Sequence, residues 1–340
     1  MVTRFYNARI LPLDGATALF SGELVVSGER IAFLGKEGGY AGAADREIDC
    51  RGNLLMPGFK NAHTHSGMTF LRSLADDLPL QSWLFEQVFP KEAQLTPDDV
   101  YILTKLAIME YLTSGITMMF DMYFARDSIA AAAIDTGFRA ALVGCANDFG
   151  GTAQETADEY AKFSKLDPLI SYRLGFHAEY TSSEPLMRDL SALVQQLKQP
   201  FYTHLNETRT EEESCVARSG RRTIEYLDSL GLFNYGGGGY HCVHVSEREM
   251  DIMQSRGMRV VTCPGSNTKL ASGVAPVYEY LARGIPVAIG TDGPASNNCL
   301  DFFREMFLTT GLQKLSRGAE AVDAMDVLTM ACRNGAYACG

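Results

Sequence analysis

Hydrophobic and polar positions follow two different rules along this chain, and the change falls near residue 55. Before it, apolar residues come in short runs broken by glycine and charge. Arg4 to Ile10 is one run, and Glu23-Leu24-Val25-Val26 and Arg30-Ile31-Ala32-Phe33-Leu34 are two more, joined by Ser27-Gly28-Glu29. Two such runs across a glycine-containing turn predict a β-hairpin. Glu47 to Cys50 predicts one further strand. Residues 1–55 therefore read as a small β unit.

After it, short apolar runs alternate with amphipathic segments. Leu54, Leu55 and Met56 read as a buried strand leading into Pro57-Gly58-Phe59-Lys60-Asn61-Ala62-His63-Thr64-His65. Thr96-Pro97-Asp98-Asp99 is a helix start, with a cap residue, a proline at the first position and acids in the first turn. Val100, Leu103, Ala107 and Tyr111 keep helical spacing up to Gly115. Further strands are predicted at Ile116 to Phe120, Phe138 to Val143, Ile170 to Phe176, Phe201 to His204, Gly239 to Val243, Arg259 to Cys263 and Pro286 to Gly290. Helices are predicted between and after them, at Ser128 to Asp135, Ala153 to Phe163, Pro185 to Leu197, Arg221 to Ser229, Glu247 to Ser255, Val277 to Arg283, Leu300 to Leu315 and Asp323 to Tyr337. Eight strands, each followed by a helical stretch, predict a (β/α)8 barrel of the TIM type over residues 56–340. The alternative, a doubly wound open sheet, wants a glycine-rich phosphate fingerprint after an early strand. Gly236-Gly237-Gly238-Gly239 precedes its strand instead, and reads as a flexible turn.

Composition narrows the function classes. The chain has 340 residues, 46% hydrophobic and 21% charged, enough for a large core. Its net charge of −11, with no lysine or arginine run, gives no electrostatic footprint for nucleic acid or an anionic membrane. No stretch of ~18 apolar residues is present to span a bilayer. Met1 to Gly15 lacks a basic start followed by an apolar run, so no signal peptide is expected. The eight cysteines form no Cys-x-x-Cys pair, which argues against a cysteine zinc site and for reduced thiols in a cytoplasm. What remains is a small-molecule partner; self-association into a homo-oligomer is compatible with the sequence.

The chemistry gathers at strand ends. His63 and His65 are two apart, so on a strand both imidazoles point the same way. Of the six histidines, His63, His65, His177, His204 and His241 fall at the predicted ends of strands one, four, five and six; His244 lies just beyond. Asp292, in Ile289-Gly290-Thr291-Asp292-Gly293, ends strand eight. In a barrel those ends face one mouth. Three histidines and a carboxylate leave room for water on one divalent ion, which lowers that water's pKa toward ~7. Asp292 is placed to take the water's proton. Glu207, three residues after His204, can deliver a proton to a substrate. The competing reading of Glu207 is a solvated loop acid, since Arg209 and Glu211-Glu212-Glu213 follow. No lysine ends a strand to bridge two metals, and the His-x-Glu…Pro-Cys-x-x-Cys deaminase signature is absent.

Pro57 to His65, Ala75 to Leu84, His204-Leu205-Asn206-Glu207, His241-Cys242-Val243 and Gly290 to Asn298 together resemble the amidohydrolase superfamily, in particular its 5'-methylthioadenosine/S-adenosylhomocysteine deaminases. The resemblance implies a mononuclear metal, zinc ahead of iron, on His63, His65, His204 and Asp292. It implies that Glu207 passes a proton to the purine ring nitrogen and that His241 hydrogen-bonds the attacking hydroxide. His177 would contact the base, Glu92 would accept from the ribose hydroxyls, and Trp83 would sit on a loop covering the pocket; a loop anchor in a small apolar cluster is the other reading of Trp83. The expected reaction is hydrolytic deamination of an adenine nucleoside or related amino-purine. Hydrolysis of another heterocycle (a chlorotriazine, pterin or cyclic amide) on the same metal, and a metal-binding scaffold without turnover, are the alternatives. The chain departs from the family pattern at Gly144 and from Asn147 to Thr152, where arginines that would meet an amino-acid carboxylate are missing, at Glu179 in place of a proline, and at His244 in place of an aromatic residue. Relatives also carry later strands that complete a β-sandwich with the N-terminal unit, and these are not expected within the 340 residues.

Overall fold

The computed structural model describes residues 1–340, which divide into two compact units, Met1–Gly58 and Phe59–Gly340. The first unit is a five-stranded sheet of β1 (Val2–Ile10), β2 (Phe20–Ser27), β3 (Arg30–Gly35), β4 (Arg46–Asp49) and β5 (Leu54–Leu55). β2 and β3 form the predicted antiparallel hairpin, β1 pairs with β2, and β4 and β5 both lie parallel to β1. Leu54 and Leu55 thus belong to this sheet, with Leu54 46% exposed, and are not the first strand of the barrel. Their apolar side chains fit a sheet edge as well as a buried strand, and sequence alone does not separate the two.

The second unit holds eight parallel strands: β6 (Phe59–Thr64), β7 (Ile116–Asp121), β8 (Arg139–Val143), β9 (Ile170–Ala178), β10 (Phe201–Leu205), β11 (Gly237–His241), β12 (Met258–Thr262) and β13 (Val287–Ile289). They neighbour one another in chain order, as in a (β/α)8 barrel. Between β13 and β6, the Asp292 N–H donates to His63 O at 3.0 Å and Thr291 N–H to Asn61 Oδ1 at 2.9 Å. The barrel interior is filled by Ala62, Phe120, Ala141, Val143, Tyr202, Tyr240, Val261 and Ala288, joined by Ala338 and Cys339 of the last helix. The Tyr202 hydroxyl donates to Ala338 O at 2.9 Å, which ties that helix to the strands.

Helices stand where their caps place them. Thr96 and Asp99 form a capping box on the Pro97–Thr113 helix, and Ser246 and Glu249 form one on Glu247–Ser255. The helix Arg209–Ser219 lies in a stretch for which no helix was predicted. Its polarity hid it, yet Glu211, Glu212 and Cys215 are buried.

The glycine run is not a flexible turn: Gly237, Gly238 and Gly239 lie inside β11 and are buried. A Cβ on Gly237 would sit 1.9 Å from Phe201 O, with φ at +124°, and one on Gly238 would sit 2.6 Å from Arg259 O. The strand therefore approaches its neighbours as only glycine can. Gly237→Ala is expected to cost roughly 3 kcal/mol or more, from combined clash and backbone strain. A thermal melt of the variant within a degree or two of wild type would contradict this packing.

Candidate active site

Every strand that carries site chemistry ends at the same mouth. His63 lies inside β6 and His65 one residue past it. His177 is in β9, His204 in β10, and His241 is the last residue of β11. Asp292 is three residues beyond the end of β13. Asn206, His241 and Asp292 all have positive φ, at 51°, 68° and 58°. Left-handed non-glycine residues carry strain, and such residues collect where side chains are aimed for function.

His63, His65, His204 and Asp292 each offer one ligand atom, and these atoms lie within 4.8 Å of one another, all buried. The Nε2 atoms of His63 and His204 are 3.1 Å apart. Asp292 Oδ1 is 3.4 Å from His63 Nε2 and 3.1 Å from His65 Nε2. The hydrogen bonds behind them select the tautomers. His204 Nδ1 faces His177 O at 2.8 Å, and His65 Nδ1 faces Met122 O. Protons used on those carbonyls leave the Nε2 lone pairs of His65 and His204 aimed inward. Lone pairs and a carboxylate converging at such distances repel unless a cation lies among them, so the donor set fits a divalent ion. Burial pushes His63 down to about 3 and His204 well below the ordinary imidazole range, which keeps both neutral as a ligand must be. For His65 burial is outweighed by the Asp292 carboxylate, which pushes the imidazole up to about 9. A proton and a divalent ion therefore compete for that nitrogen. The second oxygen of Asp292 accepts from Ser266 and Ser296, each at 2.6 Å.

Beside this cluster stand Glu207 and His241. Glu207 is 3% exposed, so it is not a solvated loop acid. Burial raises its pKa, opposed by the charge of His241. Glu207 Oε2 is 3.8 Å from His241 Nε2, and His241 Nδ1 is fixed by Asn267 Oδ1 at 2.8 Å. One cavity is lined by His65, His177, His204, Glu207, His241 and Asp292 together with Glu92, Trp83 and Tyr123. His177 Nδ1 meets Thr181 Oγ1 at 2.9 Å, and burial lowers the imidazole to about 3. Glu92 is buried, with Oε1 lacking a hydrogen-bond partner, and burial raises its pKa.

Three of the departures from the expected pattern, at Gly144, Glu179 and His244, have a local structural setting. A Cβ on Gly144 would lie 2.7 Å from Gly175 O. Glu179 is buried and paired with Arg218. His244 Nε2 meets Ser272 O at 2.7 Å. Sequence reasoning missed Ser266, Asn267 and Ser296, which orient Asp292 and His241. For Ser266 and Asn267 the signal was Pro264-Gly265-Ser266-Asn267, directly after a buried strand, and Ser296 stood in the Gly290 to Asn298 stretch without a role.

The amidohydrolase family profile matches residues 54–340. The 5-methylthioadenosine/S-adenosylhomocysteine deaminase of Pelotomaculum thermopropionicum is 38% identical over 343 residues, covering 98% of this chain and 79% of that protein. The 5'-deoxyadenosine deaminase of Methanothermobacter thermautotrophicus is 40% identical over 307 residues, covering 88% of this chain and 72% of that one. Among solved structures, a zinc-bound adenosine deaminase from Xanthomonas campestris superposes with a TM-score of 0.91 at 35% identity, over all of this chain and 80% of its own. With the histidine–aspartate cluster at the mouth of an eight-stranded barrel, the chain belongs to the amidohydrolase family.

Proposed function

We propose that this protein is a metal-dependent hydrolytic deaminase of adenine nucleosides. The observation that carries the reading is a buried acid, Glu207, beside the ligand cluster and in one cavity with Glu92. His63, His65, His204 and Asp292 hold a single ion, and zinc suits three nitrogens and one oxygen, as well as the zinc-bound relative. When bound, such an ion lowers the pKa of a water toward ~7 and supplies hydroxide at neutral pH.

The chain's own groups do the rest. His241 Nε2, free of the Asn267 bond, holds the attacking oxygen. Asp292 takes the proton released from the water. Glu207, whose carboxyl burial shifts toward the protonated form, passes a proton to the ring nitrogen as the oxygen adds to the amino-bearing carbon. Asp292 then gives the proton it took to the amino group, which leaves as ammonia, and Glu207 recovers a proton from the added hydroxyl as the oxo-purine forms. Glu92 accepts hydrogen bonds from the ribose hydroxyls, His177 faces the base, and Trp83 closes the wall above it. No arginine or lysine lines the cavity, so nothing there pairs with an amino-acid carboxylate. Adenosine, 5'-deoxyadenosine and methylthioadenosine are therefore preferred to S-adenosylhomocysteine. The eight free cysteines support a cytoplasmic enzyme.

The test is ammonia release, with the accompanying absorbance change, over a panel of nucleosides, triazines and pterins with metal loaded. Turnover confined to triazines or pterins, or absent throughout, would remove the reading. Glu92→Gln separates the two ends of the cavity. It is expected to raise KM for adenosine roughly tenfold through one lost charge-assisted hydrogen bond, with a smaller change in kcat. An unchanged KM would take Glu92 out of the ribose site.

A further inference from the structure

The turn that carries Glu207 is held by an acid that the reaction does not use. Strand β10 ends at Leu205, Asn206 follows in a left-handed conformation, and Thr208 caps the next helix. Glu211 is the third residue of that helix. Thr-x-x-Glu at such a place predicts a capping box, with the glutamate reaching back to the cap residue's N–H. Its carboxylate goes further. Oε1 accepts from the Asn206 N–H at 2.9 Å and Oε2 from the Glu207 N–H at 2.8 Å.

Glu211 is 1% exposed, and no ion pair joins it to an arginine or lysine. The neighbouring Arg222 is taken by Glu212 at 2.9 Å and Glu249 at 2.6 Å. Burial pushes the Glu211 carboxyl up to about 8, while the two backbone bonds oppose that rise. A buried carboxylate without a cation is costly to keep. What it serves is two consecutive N–H groups, one of them on the residue whose side chain must point at the substrate. The far side of the turn is fixed independently: Asn206 Nδ2 donates to Glu249 Oε1 at 3.0 Å, and Asn206 O accepts from Val243 and His244, both at 2.9 Å.

We propose that Glu211 is a positioning residue for the deamination: by clamping the Asn206 and Glu207 amides it aims the Glu207 carboxyl into the cavity beside His241. It touches neither substrate nor metal ligand, and acts through Glu207. The inference rests on the deaminase reading for its kinetics but not for its geometry.

Glu211→Gln is nearly isosteric and turns one acceptor into a donor facing an N–H. It is expected to keep the metal and to leave KM for adenosine within about twofold, while kcat falls roughly 10- to 100-fold, the usual result of misplacing an acting group by about 1 Å. Glu211→Asp, which keeps both acceptors on a shorter arm, is expected to recover part of the loss, and it replaces the glutamine variant if that one does not fold. In a Glu207→Gln background, Glu211→Gln is expected to have no further effect on kcat, because both act through one group. A merely structural role would lower both backgrounds alike, and that result overturns the proposal, as does wild-type kcat in the folded, metal-loaded single variant. A crystal structure of Glu211→Gln is expected to show the Glu207 carboxyl moved away from His241; an unmoved Glu207 also overturns it. If wild type releases no ammonia from any nucleoside, the deaminase reading fails, and the crystal structure still decides the clamp.

Discussion

Asp292→Ala is expected to yield a folded protein that binds its metal at least ~100-fold more weakly and has lost activity by roughly 10⁴-fold or more. Both losses follow from one side chain. Asp292 Oδ1 is the only carboxylate oxygen in the ligand cluster. Removing an outer partner of a ligand already costs about 10- to 100-fold in affinity, so removing a ligand costs more. Removing a general base costs a further ~10²–10⁴. Metal analysis after dialysis and single-turnover ammonia release would read the two effects separately. Full metal content in the variant, with activity near wild type, would mean that Asp292 is neither ligand nor base. Asp292→Asn is a useful partner: it keeps the shape and one ligand oxygen while losing the charge, and it puts an NH2 donor where the second oxygen accepts from Ser266 and Ser296.

Glu207→Gln is expected to leave the metal and the substrate affinity in place and to lower kcat by ~10²–10⁴. Glutamine keeps the shape but has no proton to give. The same change is expected to leave the melting temperature equal or higher, because a buried ionisable group is replaced by a neutral one, and active sites commonly trade stability for function. A variant that loses metal together with rate would place Glu207 in the ligand set instead. A variant with normal kcat would leave proton delivery to another group, and His241, 3.8 Å away, is the nearest.

The residues that converge at the mouth were legible in the sequence because a barrel puts its strand ends on one side. Histidines and an aspartate scattered over more than two hundred positions could be assembled from strand order alone, without knowing any distance. Most of the eight strands were legible as well, as short apolar runs between well-capped helices. Strand one was not. Phe59-Lys60-Asn61-Ala62-His63-Thr64 is mostly polar, and the apolar run before it drew the prediction to Leu54. Its polar groups are satisfied from the far end of the chain: Asn61 Nδ2 donates to Thr291 Oγ1 at 2.7 Å, a partner 230 residues away. The glycines of β11 failed in the opposite sense, because close backbone approach from Phe201 and Arg259 overrides a local preference for turn. The acids at 211 and 212 counted only toward the competing reading of Glu207, since nothing local announces that Arg222 and two backbone amides lie within their reach.

Anomalous diffraction from crystals of the zinc-loaded protein, recorded on both sides of the zinc edge, tests the central claim most directly. One peak is expected, at bonding distance from the Nε2 atoms of His63, His65 and His204 and from Asp292 Oδ1, with Glu207 and His241 facing it. A peak held by other residues, or none within reach of Asp292, would contradict the account.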